Sequence, residues 1–162
     1  DEKFFPGFSP RELISSHAFG KANSVRQSKS DRTILGIDTG VVIGETLFGK
    51  PKDADHAVSI LSQLSGKTHT VVSGLCLLNG DTELVKLVET DVIFRRLSLG
   101  QIERYVAAGE WKGLAGGYAI QGLGALLVER IKGDYLNVVG LPAGLLADVL
   151  KEHRPDLLAI GI

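Results

Sequence analysis

A carboxylate and a hydroxyl, Asp38-Thr39, follow the short apolar run Ile34-Leu35-Gly36-Ile37, and a glycine-flanked turn then returns the cation Lys50. An acid at a strand tip facing a nearby lysine suits hydrolysis of a phosphate ester. The acid deprotonates water or holds a metal ion, and the lysine offsets phosphate charge. Asp38 also has a plainer reading as a turn or helix-capping aspartate. The same stretch contains most of a P-loop, Gly44-x4-Gly49-Lys50, but Pro51 stands where the magnesium-binding Ser or Thr belongs. Proline supplies neither hydroxyl nor backbone donor, so the P-loop reading is set aside.

The elements that must position these groups are marked along the chain. Ser9-Pro10-Arg11-Glu12 starts a helix: Ser9 caps, Glu12 closes a capping box, and Pro10 takes the first helical position. Leu13, Ile14, His17, Ala18, Ala22 and Val25 then recur at helical spacing. Residues 33–37 read as a buried strand and 41–43 as a second short one. Asp53 caps a helix whose Ala57, Ile60, Leu61 and Leu64 form an apolar stripe before Gly66 ends it. Runs 69–78 and 83–95 are strands joined at Asn79-Gly80, a hairpin turn. Ser98 and Gln101 make a second capping box, for a helix carrying Ile102, Tyr105 and Val106 and stopped by Gly109. The glycine-rich passage from Ala115 to Gly124 leads into a strand at 125–131. Lys132-Gly133-Asp134 then turns the chain into another at 135–139, and Pro142 opens a last helix with Leu145, Leu146, Val149 and Leu150 inward. Helices alternating with strands and hairpins predict a single α/β domain, a mixed twisted sheet flanked by helices.

At 162 residues the chain fits one domain, and a net charge of -1 gives no basic field for nucleic acid. Cys76 is the lone cysteine, which suits a reducing compartment. No apolar run approaches the length of a membrane span and no signal pattern opens the chain, so the expectation is a soluble, cytoplasmic protein without membrane or nucleic-acid partners.

Taken together these segments resemble the Maf family of nucleoside triphosphate pyrophosphatases. The pieces come in family order: Asp1-Glu2, Lys21-Ala22, Asp38-Thr39, Gly49-Lys50-Pro51, Leu64-Ser65-Gly66 with His69, Ala115-Gly116-Gly117-Tyr118, Ile120-Gln121-Gly122, Gly133-Asp134-Tyr135 and Asn137-Val138-Val139-Gly140. The resemblance spans nearly the whole chain and implies a central nucleotide cleft. It places the family's opening strand and helix, with a Ser-x-Ser-Pro-Arg-Arg signature, before Asp1, and the chain contains no methionine. Ser9-Pro10-Arg11 mimics that signature in the wrong place, so Arg11 receives no catalytic role. Three departures stand out: Gly113-Leu114 replaces an Asp-Lys pair, Ile37 replaces an alanine, and Gly40 replaces a β-branched residue.

The resemblance implies hydrolysis of a nucleoside triphosphate between the α- and β-phosphates, with Asp38 as general base or metal ligand. It makes Glu2 a second acid binding Mg²⁺, with Mn²⁺ the alternative ion, and Lys50 and Lys21 phosphate clamps. Glu2 could equally be a solvated surface acid, and Lys21 a snorkelling side chain. Gln121 would face the base, its amide complementing the O4 and N3–H edge of uracil or thymine, which marks the branch acting on dTTP and UTP. Thr39 sits at a family specificity position, or bonds locally at a strand end. His69 reads as structural, Cys76 as a buried small hydrophobe and Trp111 as a cover for the core edge. The family also implies homodimers. A rival reading is a nucleotide-binding regulator of cell division acting through partners, with little catalysis.

Overall fold

The computed structural model describes residues 7–26 and 32–158. Helix α1 (Pro10–Arg26) starts on the predicted capping box: Ser9 N donates to Glu12 Oε2 at 2.8 Å, and Glu12 N to Ser9 Oγ at 3.4 Å. Strand β1 (Ile34–Ile43) and strand β2 (Thr46–Phe48) form a hairpin across Gly44-Glu45. Two strands were expected where β1 runs as one of ten residues. Its ladder with β3 (Thr68–Asn79) extends from Ile34 opposite Leu78 to Val42 opposite Thr70, and carries the backbone straight through Gly40.

Helix α2 (Ala54–Leu64) is capped by Asp53, which accepts from His56 N at 2.7 Å, and buries the predicted stripe. Strand β4 (Thr82–Phe94) returns from β3 over Gly80-Asp81, one residue later than the expected turn, because Asn79 is itself paired with Thr82. Helix α3 (Leu99–Ala108) has the complete Ser98–Gln101 capping box and stops at Gly109, whose φ of 81° suits glycine.

Two predicted strands are replaced. Residues 122–127 form a 3₁₀ turn, and strand β5 begins only at Val128 (Val128–Lys132). Residues 135–139 are helix α4 (Tyr135–Val139) rather than a strand. The apolar run suits either state, and local chemistry decides. Asp134 accepts from Leu136 N at 2.8 Å, while Gly140 closes the turn with φ 113°. Buried Asn137 donates to Val71 O at 3.1 Å and Thr90 Oγ1 at 3.0 Å, pinning the helix to the sheet. Helix α5 (Ala143–His153) buries Val149 against Leu75 and Leu77, with Leu145, Leu146 and Leu150 packed around it.

The strands form one sheet in the order β2-β1-β3-β4-β5, flanked by helices as expected. Among the described residues every neighbouring pair is antiparallel, where a mixed sheet was expected. The helix-linked strands β2 and β3 do run the same way, but β1 lies between them, so parallel strands never touch. The main core joins Val41, Phe48, Leu61, Leu64, Phe94 and Ile102 on one face. On the other face α1 packs Ala18 and Ala22 against Ile34, Cys76 and Leu78.

Candidate active site

Side chains alternate across a strand, so Asp38 shares the α1 face with Gly36 and Gly40. A Cβ on Gly36 would stand 2.3 Å from Ala18 O, and one on Gly74, directly across the ladder from Asp38, would stand 3.0 Å from Ile14 O. These missing side chains let α1 lie almost on the sheet. From there Lys21 Nζ reaches Asp38 Oδ1 at 2.5 Å and Ile37 O at 3.1 Å, while His17 Nδ1 lies 3.4 Å from Asp38 Oδ2. Gly40 also suits this chain, because Leu47 Cδ1 and Ile14 Cδ1 would lie 2.7 and 2.9 Å from an added Cβ.

Asp38 is not at a strand tip, as the sequence suggested, but in the middle of β1. The cleft reaches it because β2 covers only the far end of β1, from Val41 to Ile43. Among the described residues no strand pairs with the outer edge of β1 before that point. A cavity of about 340 Å³ opens along this edge, touching residues from both faces of β1.

The opposite wall is the glycine-rich passage, locked to the segment that carries Lys50. Gly116 N donates to Gly49 O at 3.1 Å, and Cβ atoms on Gly116 and Gly117 would meet Val41 Cγ2 at 2.8 Å and Pro51 Cγ at 3.0 Å. Both glycines have φ near 70°, a conformation that residues with side chains rarely adopt. Pro51 is thus a packing partner. Gly44 turns a hairpin instead of opening a helix, which removes the last likeness to a P-loop.

The structure brings Lys21, Asp38, Thr39, Lys50 and Gln121 to this one cavity. Its walls carry two lysines against one aspartate, a balance that favours an anionic ligand. Glu2 lies outside the described residues. Thr39 faces away from Asp38 and shares a 2.8 Å hydrogen bond with Ser73 across the ladder, so local bonding and cavity lining coexist. No cluster of three or more His, Cys, Asp or Glu side chains occurs among the described residues. The donor chemistry nevertheless fits a hard cation, since such ions take one or two carboxylates and complete their shells with phosphate oxygen and water.

Sequence reasoning missed His17, which it read only as part of an apolar stripe. Its spacing of one helical turn from Lys21 was the available signal. It also missed Tyr118 as a lining residue. The ring is 6% exposed and its hydroxyl meets His69 Nε2 at 2.8 Å. His69 is structural as expected: it stacks edge-on against Phe94 and Tyr118, and burial pushes its pKa down to about 4. Burial likewise pushes the Tyr118 hydroxyl well up. Trp111 is buried in the core, and Cys76 is buried beneath α1. Arg11 lies away from the cavity in a bidentate pair with Glu89, at 2.6 and 2.9 Å.

The family described as Maf-like protein matches residues 1–153. The dTTP/UTP pyrophosphatase of Clostridioides difficile (strain 630) is 42% identical over 164 residues, covering 100% of this chain and 84% of that protein. The dTTP/UTP pyrophosphatase of Pyrococcus furiosus is 47% identical over 133 residues, 82% of this chain and 70% of its own. That of Latilactobacillus sakei is 42% identical over 151 residues, 93% and 83% respectively.

Proposed function

This chain belongs to the Maf-like protein family, and from that premise we propose that it hydrolyses dTTP and UTP to the monophosphate and pyrophosphate. The observation that carries the reading is the single cavity whose walls hold Asp38, two lysines and the Gln121 amide. A triphosphate brings roughly four negative charges, so its hydrolysis is chiefly a matter of placement and charge compensation. Lys50 and Lys21 supply cations on two sides. The Lys21 side chain is 52% exposed and can turn from Asp38 to an arriving phosphate, releasing the carboxylate.

Asp38, only 7% exposed, then deprotonates the attacking water or ligates the metal. Asp38 and Glu2 would hold the divalent cation, Mg²⁺ or alternatively Mn²⁺, which offsets charge gathering on the phosphates. Gln121 reads the O4 and N3–H edge of the base, and Thr39 borders the substrate from the sheet. A cytoplasmic setting and homodimer formation belong to the same reading. The buried, unpaired Cys76 suits a reducing compartment, and sedimentation of the purified protein tests the pairing. No helix among the described residues is long and apolar enough to cross a membrane.

The test is to incubate the full chain and its Asp38→Asn variant with a panel of triphosphates and Mg²⁺ and to assay pyrophosphate. Release from dTTP and UTP that collapses in the variant supports the reading. Nucleotide binding without release overturns it in favour of a binding regulator.

A further inference from the structure

We propose that Glu110 is a positioning residue that fixes Gln121 and thereby sets the discrimination of uracil and thymine from cytosine. The inference rests on Gln121 reading the base. A glutamine amide presents a donor and an acceptor side by side, and it discriminates between bases only where both meet the base edge at hydrogen-bond distance and angle. That requires the backbone at position 121 to be held in one place.

That support comes from the end of α3. Gln121 itself is exposed, in extended backbone with φ -83° and ψ 164°. Immediately after it, the Glu110 carboxylate accepts from Leu123 N at 3.1 Å through Oε1 and from Gly124 N at 3.2 Å through Oε2. A carboxylate held by two backbone amides makes stronger, charge-assisted bonds than a neutral acceptor would. Gly122 leaves the space: it has φ 64°, and a Cβ there would stand 2.7 Å from Glu110 Oε1. On the other side of Gln121, Ala119 N donates to the Tyr105 hydroxyl at 3.4 Å, so α3 and its end grip the loop at both flanks. Glu110 is itself fixed between Gly109, the left-handed cap of α3, and buried Trp111, whose Nε1 donates to Val106 O at 2.9 Å. Glu110 does not line the cavity, so it acts on the base only through the loop.

The experiment compares kcat and KM for UTP and CTP in the wild type, Glu110→Gln, Gln121→Ala and the double variant, with Tm measured for each. Glu110→Gln turns one acceptor into a donor facing a backbone N–H. The expected result is a fall of about tenfold in the UTP-over-CTP ratio, carried mainly by KM for UTP. In the Gln121→Ala background the same substitution should leave that ratio where it is, because the two act as one unit. Should Glu110→Gln fail to fold, Gly122→Ala presses on the same carboxylate from the other side and should lower the ratio likewise. A wild-type ratio in Glu110→Gln, or equal losses for both nucleotides in kcat, overturns the proposal. A wild-type protein that releases no pyrophosphate, or shows no preference between UTP and CTP, instead overturns the reading on which it rests.

Discussion

Lys21 Nζ donates to Asp38 Oδ1 across 2.5 Å, from α1 to the middle of β1, and glycine makes the contact reachable. With any side chain at position 36, α1 would be forced off the sheet, since a Cβ there would lie 2.3 Å from Ala18 O and 2.7 Å from Ala22 N. Backbone atoms cannot rotate aside as a flexible side chain can. The Asp38 carboxylate and the Lys21 cation thus meet because of a residue that carries no functional group.

Gly36→Val should therefore lower stability by about 1–3 kcal/mol through overpacking and lower pyrophosphate release at the same time. Denaturant unfolding and turnover measured on one preparation check this. Wild-type values for both would contradict the account of how α1 is seated.

Leu114 lines the cavity where the family pattern carries a lysine, and its backbone is extended with φ -107° and ψ 132°. Leu114→Lys should restore a cation beside the phosphates and lower KM for UTP several-fold at low salt, an effect that fades as salt rises. Steady-state kinetics at two ionic strengths read it out. A KM that does not respond at either strength would place the phosphates elsewhere in the cleft.

Much of the fold was legible because capping boxes, the α2 stripe and the long β3–β4 hairpin are local signals that tertiary packing had no reason to overrule. Asp38 and Lys50 stood out as charged groups beside glycines, and Gln121 through the family resemblance; all three line the one cavity. What stayed hidden depended on contacts distant in sequence. Gly40 reads as a turn, yet the β3 ladder holds it in strand, so Asp38 moved from a tip to an open edge. The 135–139 run reads as strand until Asp134 caps it and Asn137 finds Val71 and Thr90. The antiparallel neighbours follow from β1 lying between β2 and β3, which no single segment announces. His17 and Glu110 stayed unremarked because their partners lie 21 and 13 or 14 residues away.

Replacing Gln121 with glutamate keeps its size but puts an acceptor and a negative charge where a donor stood. Gln121→Glu should shift preference away from dTTP and UTP by about 1–3 kcal/mol, the magnitude of a lost buried hydrogen bond. Relative rates across a triphosphate panel measure it. Identical ratios in the variant would remove the base contact from the account.

His69 has its pKa pushed down from 6.5 to about 4 by burial among Phe94 and Tyr118. Between those values the unfolded chain binds a proton that the folded chain refuses. Stability from this residue is therefore complete above about pH 6.5 and is lost as pH falls toward 4, by about 2 kcal/mol at pH 5. Urea unfolding at pH 7 and pH 5 should show that loss, and His69→Phe should flatten the response across this window. An equally steep decline in the variant would assign the acid sensitivity to other groups.

The most direct measurement is a crystal structure of the full chain with Mg²⁺ and a uridine triphosphate analogue whose α–β bridge resists hydrolysis. The account predicts phosphates between Lys21 and Lys50, the bridging region beside Asp38, and the uracil edge on the Gln121 amide. A nucleotide seated away from Asp38, or with its base turned from Gln121, would contradict it.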